Sequence, residues 1–533
     1  PIAFISGLTG EFYRQFALTI AFSTVISAFN SLTLSPALAA TLLKAHGAPK
    51  DRLARGMDKV LGPFFGWFNR MFRKGSENYG RGVGGTLQRK SRAVFVYAVL
   101  LGLTYAGFQL VPPGFVPTQD KAYLVSFAQL PEGATLDRTE AVIRKMSAIA
   151  LKEPGVESAV AFPGLSINGF INSASSGIVF VTLKPFSERK SSDLSGIAIA
   201  QKLQQKYGAI DKAMIAIFPP PPVMGLGTIG GFKLQVEDRT DQGDAALNRA
   251  MQDIQQKARS NPALAGVFSG FNIGVPQLYA NLDRTRAQQL GVDIQDVFDT
   301  MQTYLGSIYV DDFNRFGRTY EVVAQADAPF RSKPEDILRL KTRNADGQMV
   351  PFGSIMQVSE TTGPDSAMRY NGFRSADLNG APAPGYSTGQ AQAAITKLLA
   401  ENLPKGMNFE WTDLTYQQIL AGNTTLLVFP LCVLLVFLVL AAQYESLFLP
   451  LAIILIVPMC LFSAIAGVWF TGGDNNIFTQ IGLFVLIGLA CKNAILIVEF
   501  ARELEIKGSS TVGAGMEAAR LWLRPILMTS FAF

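Results

Sequence analysis

Twenty-eight consecutive residues without a charge, 16–43, are followed after a charged interval by nineteen more, 93–111. Each run matches the ~20 apolar residues that a helix needs to cross the hydrocarbon layer of a bilayer. Three further charge-poor runs occupy 419–442, 446–473 and 477–498, and another opens at Pro525. Between residues 112 and 415 lie roughly 300 residues of charged, Gly/Pro-punctuated sequence, enough for two or more soluble domains. A hydrophobic fraction of 49% against 17% charged residues, with a mean hydropathy of +0.24, excludes an ordinary cytosolic enzyme.

Charge bias sets the expected topology. Segment 44–92 holds 12 Lys/Arg against 3 Asp/Glu, a net charge of +9, which against +6 overall leaves the remainder of the chain slightly acidic at −3. That balance marks a basic cytoplasmic loop, not a nucleic-acid surface. The 112–415 insert then falls outside, as does the cation-free turn Gly472-Gly473-Asp474-Asn475-Asn476. Within 44–92, Phe64, Phe65, Trp67, Phe68, Met71 and Phe72 share one helical face, with Arg70, Arg73 and Lys74 opposite. This pattern predicts a helix lying in the headgroup plane, with no cytoplasmic domain for it to pack against.

The insert alternates strands and helices. The pattern predicts strands at 122–130, 156–162, 178–183 and 214–218 with helices at 136–151 and 194–207, a β-α-β, β-α-β order. A second unit begins with a strand at 232–236, a helix at 245–259 and a strand at 266–271. After Val275 come hairpin-like pieces at 304–326 and 348–360, then a helix at 388–402 and a strand at 407–411. The expected architecture is a membrane α-helical bundle plus an α+β extramembrane part. That part holds one split βαβ subdomain and a second one interrupted by an inserted domain.

Lys492 is the residue with the sharpest chemical meaning. An ammonium inside an apolar span costs at least ~3 kcal/mol, so it faces a partner or a wet cavity. Glu499, seven residues on, is a poor direct partner, so acids from a further part of the polypeptide are expected to meet it. Thr529 offers a hydroxyl within the last apolar run, and a helix-packing threonine is the competing reading. Segment 162–180, rich in Gly, Ser and Asn, carries Ile167, Phe170 and Ile171 as an apolar tip. With Phe127 and Phe218 it could line a pocket for greasy ligands, core packing being the alternative for Phe127, Phe162 and Phe180. Gly225-Leu226-Gly227-Thr228-Ile229-Gly230 has the spacing of a dinucleotide fingerprint, but Pro219 to Pro222 precede it and a strand follows, so a linker is expected. One histidine, His46, leaves too little imidazole for a metal cage or a hydrolytic triad, and Cys432, Cys460 and Cys491 sit in apolar runs. No cofactor is expected, and the chain does not read as an enzyme.

Several longer motifs resemble one family: Phe12-Tyr13-Arg14-Gln15-Phe16, the run 65–72, Gln129-Leu130-Pro131-Glu132-Gly133-Ala134-Thr135, the run 346–351, Tyr444-Glu445-Ser446, the run 492–500 and the run 524–530. On these residues the chain resembles the C-terminal half of a resistance-nodulation-division transporter of the hydrophobe/amphiphile efflux type. The resemblance implies a homotrimer in the bacterial inner membrane that exchanges protons for exported amphiphiles. A periplasmic adaptor protein and an outer-membrane channel protein would be its partners. It implies porter subdomains at 112–225 and at 226–276 with 365–415, a ferredoxin-like fold for each, and a docking domain at 277–364. Membrane segments would be 1–43, 93–111 and 416–533, with 44–92 cytoplasmic. By resemblance Lys492 and Thr529 belong to a proton relay with two aspartates of the other half. Phe127, Phe162, Phe180 and Phe218 then line the pocket, and the loop around Ile167 and Phe170 is a switch loop. That loop has fewer aromatics than the best-known pumps have, and Trp522 stands where many relatives carry an arginine.

Two other readings stay open. Metal efflux on the same fold would need methionines or acids at the pocket, where Met224 is the one candidate. A membrane-anchored accessory of polypeptide translocation is the other. The start at Pro1 without a methionine, and the end at Phe533 inside an apolar run, lead to the expectation that the chain is a piece of a longer protein, inactive alone.

Overall fold

The computed structural model describes residues 3, 5–42, 52–167, 169–227, 230–422 and 424–532, with 52–60, 424–427 and 532 described in backbone only. The first uncharged run forms α1 (Gly7–Leu32) and α2 (Leu34–Leu42), and α3 (Arg52–Gln88) and α4 (Lys90–Leu110) follow. Residues 44–51 of the basic segment lie outside the described residues. In α3, Phe64, Phe65, Trp67 and Met71 are exposed, and Phe64, Phe68 and Phe72 stack in sequence at 6.5 and 6.1 Å. The same helix has a neighbour within the chain. Its C-terminal half lies on the last helix, where Ser76 Oγ donates to the Arg520 carbonyl (3.1 Å) and the Arg524 guanidinium sits 5.8 Å over Phe72.

The first α/β unit comprises β1 (Tyr123–Gln129), α5 (Leu136–Ala150), β2 (Val156–Leu165), β3 (Asn172–Leu183), α6 (Gly196–Tyr207) and β4 (Met214–Phe218). Its antiparallel sheet has the order β2-β3-β1-β4. Period-two alternation sends Leu124, Ala128, Val179 and Val181 under α5 and α6, where they meet Ile143, Met146, Ile199 and Leu203. Fully burying each of the large apolar side chains contributes about 1.5–3 kcal/mol. The alternate residues Val125, Phe127 and Ile178 occupy the opposite face.

The second unit starts with β5 (Phe232–Asp238), α7 (Asp244–Arg259) and β6 (Leu264–Phe268). An insertion follows: β7 (Val275–Leu282), α8 (Arg284–Gln289), α9 (Ile294–Met301), β8 (Ile308–Arg315), β9 (Arg318–Ala324), α10 (Pro334–Arg339), β10 (Lys341–Arg343), β11 (Met349–Pro351) and β12 (Met356–Gly363). The chain then returns through β13 (Arg369–Tyr370), β14 (Phe373–Pro382), α11 (Thr388–Asn402) and β15 (Met407–Trp411). The sheet order is β13-β14-β5-β15, with β6 on the other part of β14. Three sequence expectations need correction here. The strand expected at 266–271 begins two residues earlier and ends at Phe268, 348–360 is not one hairpin because β11 pairs with β10 and β12 with β7, and β14 has no counterpart among the expected strands. Strand β14 carries Ser375, Asp377 and Asn379 on a face that period-two reasoning assigns to solvent, yet all three are buried.

The membrane part resumes with α12 (Asp413–Ala421), α13 (Thr424–Tyr444), α14 (Phe448–Ile454), α15 (Val457–Phe470), α16 (Ile477–Ile506) and α17 (Thr511–Ala532). Among the described residues, four helical segments are long and apolar enough to cross a membrane: 7–42, 90–110, 448–470 and 477–506. Pro458 has no N–H for the Ile454 carbonyl, which is where α14 and α15 part. Asn476 caps α16 by accepting from Phe478 and Thr479 amides (3.0 Å each), while Asn475 N donates to the Pro112 carbonyl at 2.9 Å. That turn therefore ties the bundle to the first residues of the insert.

Candidate functional site

The face of the first sheet left uncovered by helices meets the second unit through aromatic rings. Phe127 on β1 stacks with Phe218 on β4 (centroids 6.1 Å, planes 16° apart) and lies 5.0 Å from Phe268 on β6. Phe218 and Phe268 stack in turn at 6.0 Å. The register explains the first pair, since Phe127 is directly opposite Ala216, two residues before Phe218 on the same face. Phe268 stands inside the strand expected at 266–271 but is not among the residues singled out there, because nothing in its own strand shows that it meets the first unit. It is the one ring of the three that the second unit contributes. Stacked rings of this kind gain about 0.5–1.5 kcal/mol beyond the area they bury.

The loop between β2 and β3 divides the remaining candidates. Ile167 is buried against Phe127 and Ile178, whereas Phe170 is 53% exposed at a left-handed backbone position, φ +53°. Ser166 N donates to the Ile171 carbonyl (2.9 Å), closing the loop on itself, and Asn168 lies outside the described residues. Phe162 meets Phe180 edge to face at 5.9 Å, with Phe162 partly exposed on the edge strand. The structure thus brings Phe127, Ile167, Phe180 and Phe218 together, holds Phe162 beside them, and leaves Phe170 outside. Met224 is 77% exposed in the Gly/Pro linker and does not join the cluster. Thr228 and Ile229 of that linker lie outside the described residues; around them the chain forms turns, with no helix after the glycines.

Lys492 is on α16 and exposed, on a helix that buries Ile481, Phe484, Ile487 and Cys491. The next helix, α17, packs back along α16 after a four-residue connection, 507–510. Phe500 and Trp522 mark the register between them, edge to face at 6.3 Å. Counting back from Phe500 to Lys492 and on from Trp522 to Thr529 gives about 12 and about 10 Å of helix. The two residues therefore stand at one depth of the bundle. Thr529 Oγ1 donates to the Ile526 carbonyl of its own helix at 3.0 Å.

The family model described as AcrB/AcrD/AcrF matches residues 1–533. Over its whole length the chain is 39% identical to the toluene efflux pump membrane transporter TtgB of Pseudomonas putida, covering 50% of that protein. It is 37% identical to the multidrug export protein AcrF and 36% identical to the multidrug resistance protein MdtF, both of Escherichia coli, covering 51% of each. The chain spans about half the length of the curated relatives it matches.

Proposed function

Because the chain belongs to the AcrB/AcrD/AcrF family of resistance-nodulation-division proteins, we propose that it works as one half of a proton-driven efflux transporter for hydrophobic or amphiphilic compounds. The observation that carries the energy-coupling part of this reading is Lys492, an ammonium in the middle of an apolar helix and level with Thr529. Carboxylates from the rest of the longer protein would hold Lys492 when ionised and release it when protonated. The ammonium then swings toward Thr529, and the shift of α16 against α17 passes to the soluble units through the turn at 472–476. The Phe127, Phe218 and Phe268 rings, backed by Ile167 and Phe180, supply an apolar wall at the junction of the two units, suited to greasy cargo.

In this reading both α/β units are ferredoxin-like split βαβ porter subdomains, and 277–364 is a docking domain. The exposed β8–β9 hairpin, whose Tyr309, Val310, Phe313 and Phe316 all face outward, would help seat a periplasmic adaptor or an outer-membrane channel. The assembly is a homotrimer in the bacterial inner membrane. Metal export is not favoured, since Met224 stays out of the aromatic cluster.

The test is efflux of a fluorescent amphiphile from cells making the full-length protein, with Lys492 intact or changed to Ala, before and after the proton gradient is collapsed. Loss of efflux both in the variant and in uncoupled cells, with assembly intact, is the expected result. Efflux indifferent to both would end the proton-antiport reading.

A further inference from the structure

The second sheet buries a polar face. Leu234, Val236, Ala376 and Leu378 pack under α7 and α11, so Gln235, Glu237, Ser375 and Asp377 must take the other side. They are nevertheless only 4%, 0%, 0% and 3% exposed. Asp377 is directly opposite Gln235, and Ser375 directly opposite Glu237. The four make a two-by-two block of oxygen-bearing side chains, with cross-strand β-carbons about 5 Å apart.

Three oxygens in this block, Gln235 Oε1, Glu237 Oε1 and Ser375 Oγ, are buried without a hydrogen-bond partner. Other contacts account for their neighbours. Glu237 Oε2 accepts from Arg239 Nε (2.7 Å), Asp377 Oδ2 accepts from Asn379 Nδ2 (2.5 Å), and the Gly270 amide donates to Asp377. A carboxamide oxygen and a carboxylate oxygen can only accept, so they cannot satisfy each other. The basic groups facing the block are Lys233 and Arg239, and the acidic ones are Glu237, Asp377, Glu410 and Asp413, with Tyr370 neutral. Four carboxylates against two basic groups leave a charge of −2. Lys233 leans to the rim, 3.5 Å from Asp413, while Arg239 bridges Glu237 in the block and Glu410 at the rim, at 2.7 Å each.

We propose that this block binds one small monovalent cation, of the sodium or potassium class, through Gln235 Oε1, Glu237, Ser375 Oγ and Asp377. Because Arg239 already holds Glu237 at 2.7 Å, the ion would balance the single carboxylate of Asp377 alongside two neutral oxygens, which suits one positive charge. The block adjoins Gly270, on the way out to the insertion, and β13, on the way back. An ion there fastens both connections to one sheet.

The test uses the purified full-length protein in detergent. Its unfolding midpoint is followed as sodium or potassium chloride replaces choline chloride at constant ionic strength. A saturable rise is expected. Gln235→Leu and Asp377→Asn should each lose the rise, while Glu410→Gln at the rim keeps it. Thallium(I) soaked into crystals should give an anomalous peak between Gln235 and Glu237. Midpoints indifferent to the cation, or a water and no thallium at that place, would overturn the site. None of these readouts involves transport, so they stand or fall apart from the efflux reading.

Discussion

Asp120 shows how one carboxylate holds the entry to the first α/β unit. Burial by itself would raise its pKa, but hydrogen bonds from Arg189 and from the Ala122 and Gly196 amides outweigh that and hold it below the ordinary value. Stability from such a group is full above the unfolded carboxylate pKa of about 3.9 and is lost as pH falls through the lower folded value. Asp120→Asn should therefore lower the thermal midpoint at neutral pH and flatten its decline in acid, as read from unfolding curves across pH. The aromatic residues separate in the same way. Phe268→Ala removes a buried ring and is expected to cost about 3–5 kcal/mol, whereas Phe170→Ala, at an exposed tip, should stay within about 0.5 kcal/mol. If Phe170 contacts cargo, its variant changes efflux of a fluorescent amphiphile without moving the unfolding midpoint. Equal losses of stability in both variants would mean that the loop is packed, not poised. Sequence reasoning can name Phe127, Phe180 and Phe218 because each stands in a legible strand, but it cannot tell which loop residue turns inward. Ile167 and Phe170 are near neighbours of similar hydrophobicity, and the left-handed turn between them sorts one from the other.

At the scale of elements, the joints carry the tightest constraints. Gly231 links the Gly/Pro segment to β5 with φ +141°, and a β-carbon there would run into the Gly380 carbonyl of the paired strand. Backbone cannot yield as a flexible side chain can. Gly231→Ala is expected to cost more than about 1 kcal/mol from conformation alone, and more from the clash. The loss should appear as protease sensitivity of the second unit, whereas Gly225→Ala, strained at φ +84° but with open space around it, should show the smaller effect. Most elements are legible in their own residues: α5, α6, α7 and α11 show helical stripes, and β1 to β4 alternate. Strand β14 is not, because its polar residues are buried against polar residues of β5, and no periodicity in one strand reveals what the neighbouring strand presents.

At the scale of the whole molecule, the proposed function makes the chain one half of a longer protein, and the chain spans about half the length of its curated relatives. We expect the 533-residue chain expressed alone to give no efflux of a fluorescent amphiphile, and co-expression with the remaining half of the longer protein to restore it. Efflux from the chain alone would show that Lys492 needs no acids from elsewhere. The sequence by itself determined the apolar spans, the basic character of segment 44–92, most of the alternation of strands and helices and the place of Lys492 inside an apolar run, because hydrophobic period and charge are local properties that every residue carries with it. Tertiary structure alone decided that Phe268 completes the ring stack, that α3 lies on α17, and that Gln235, Glu237, Ser375 and Asp377 share one buried face. Those are contacts between residues distant in the chain, and the free energy of such a contact depends on what arrives opposite, which no single segment encodes.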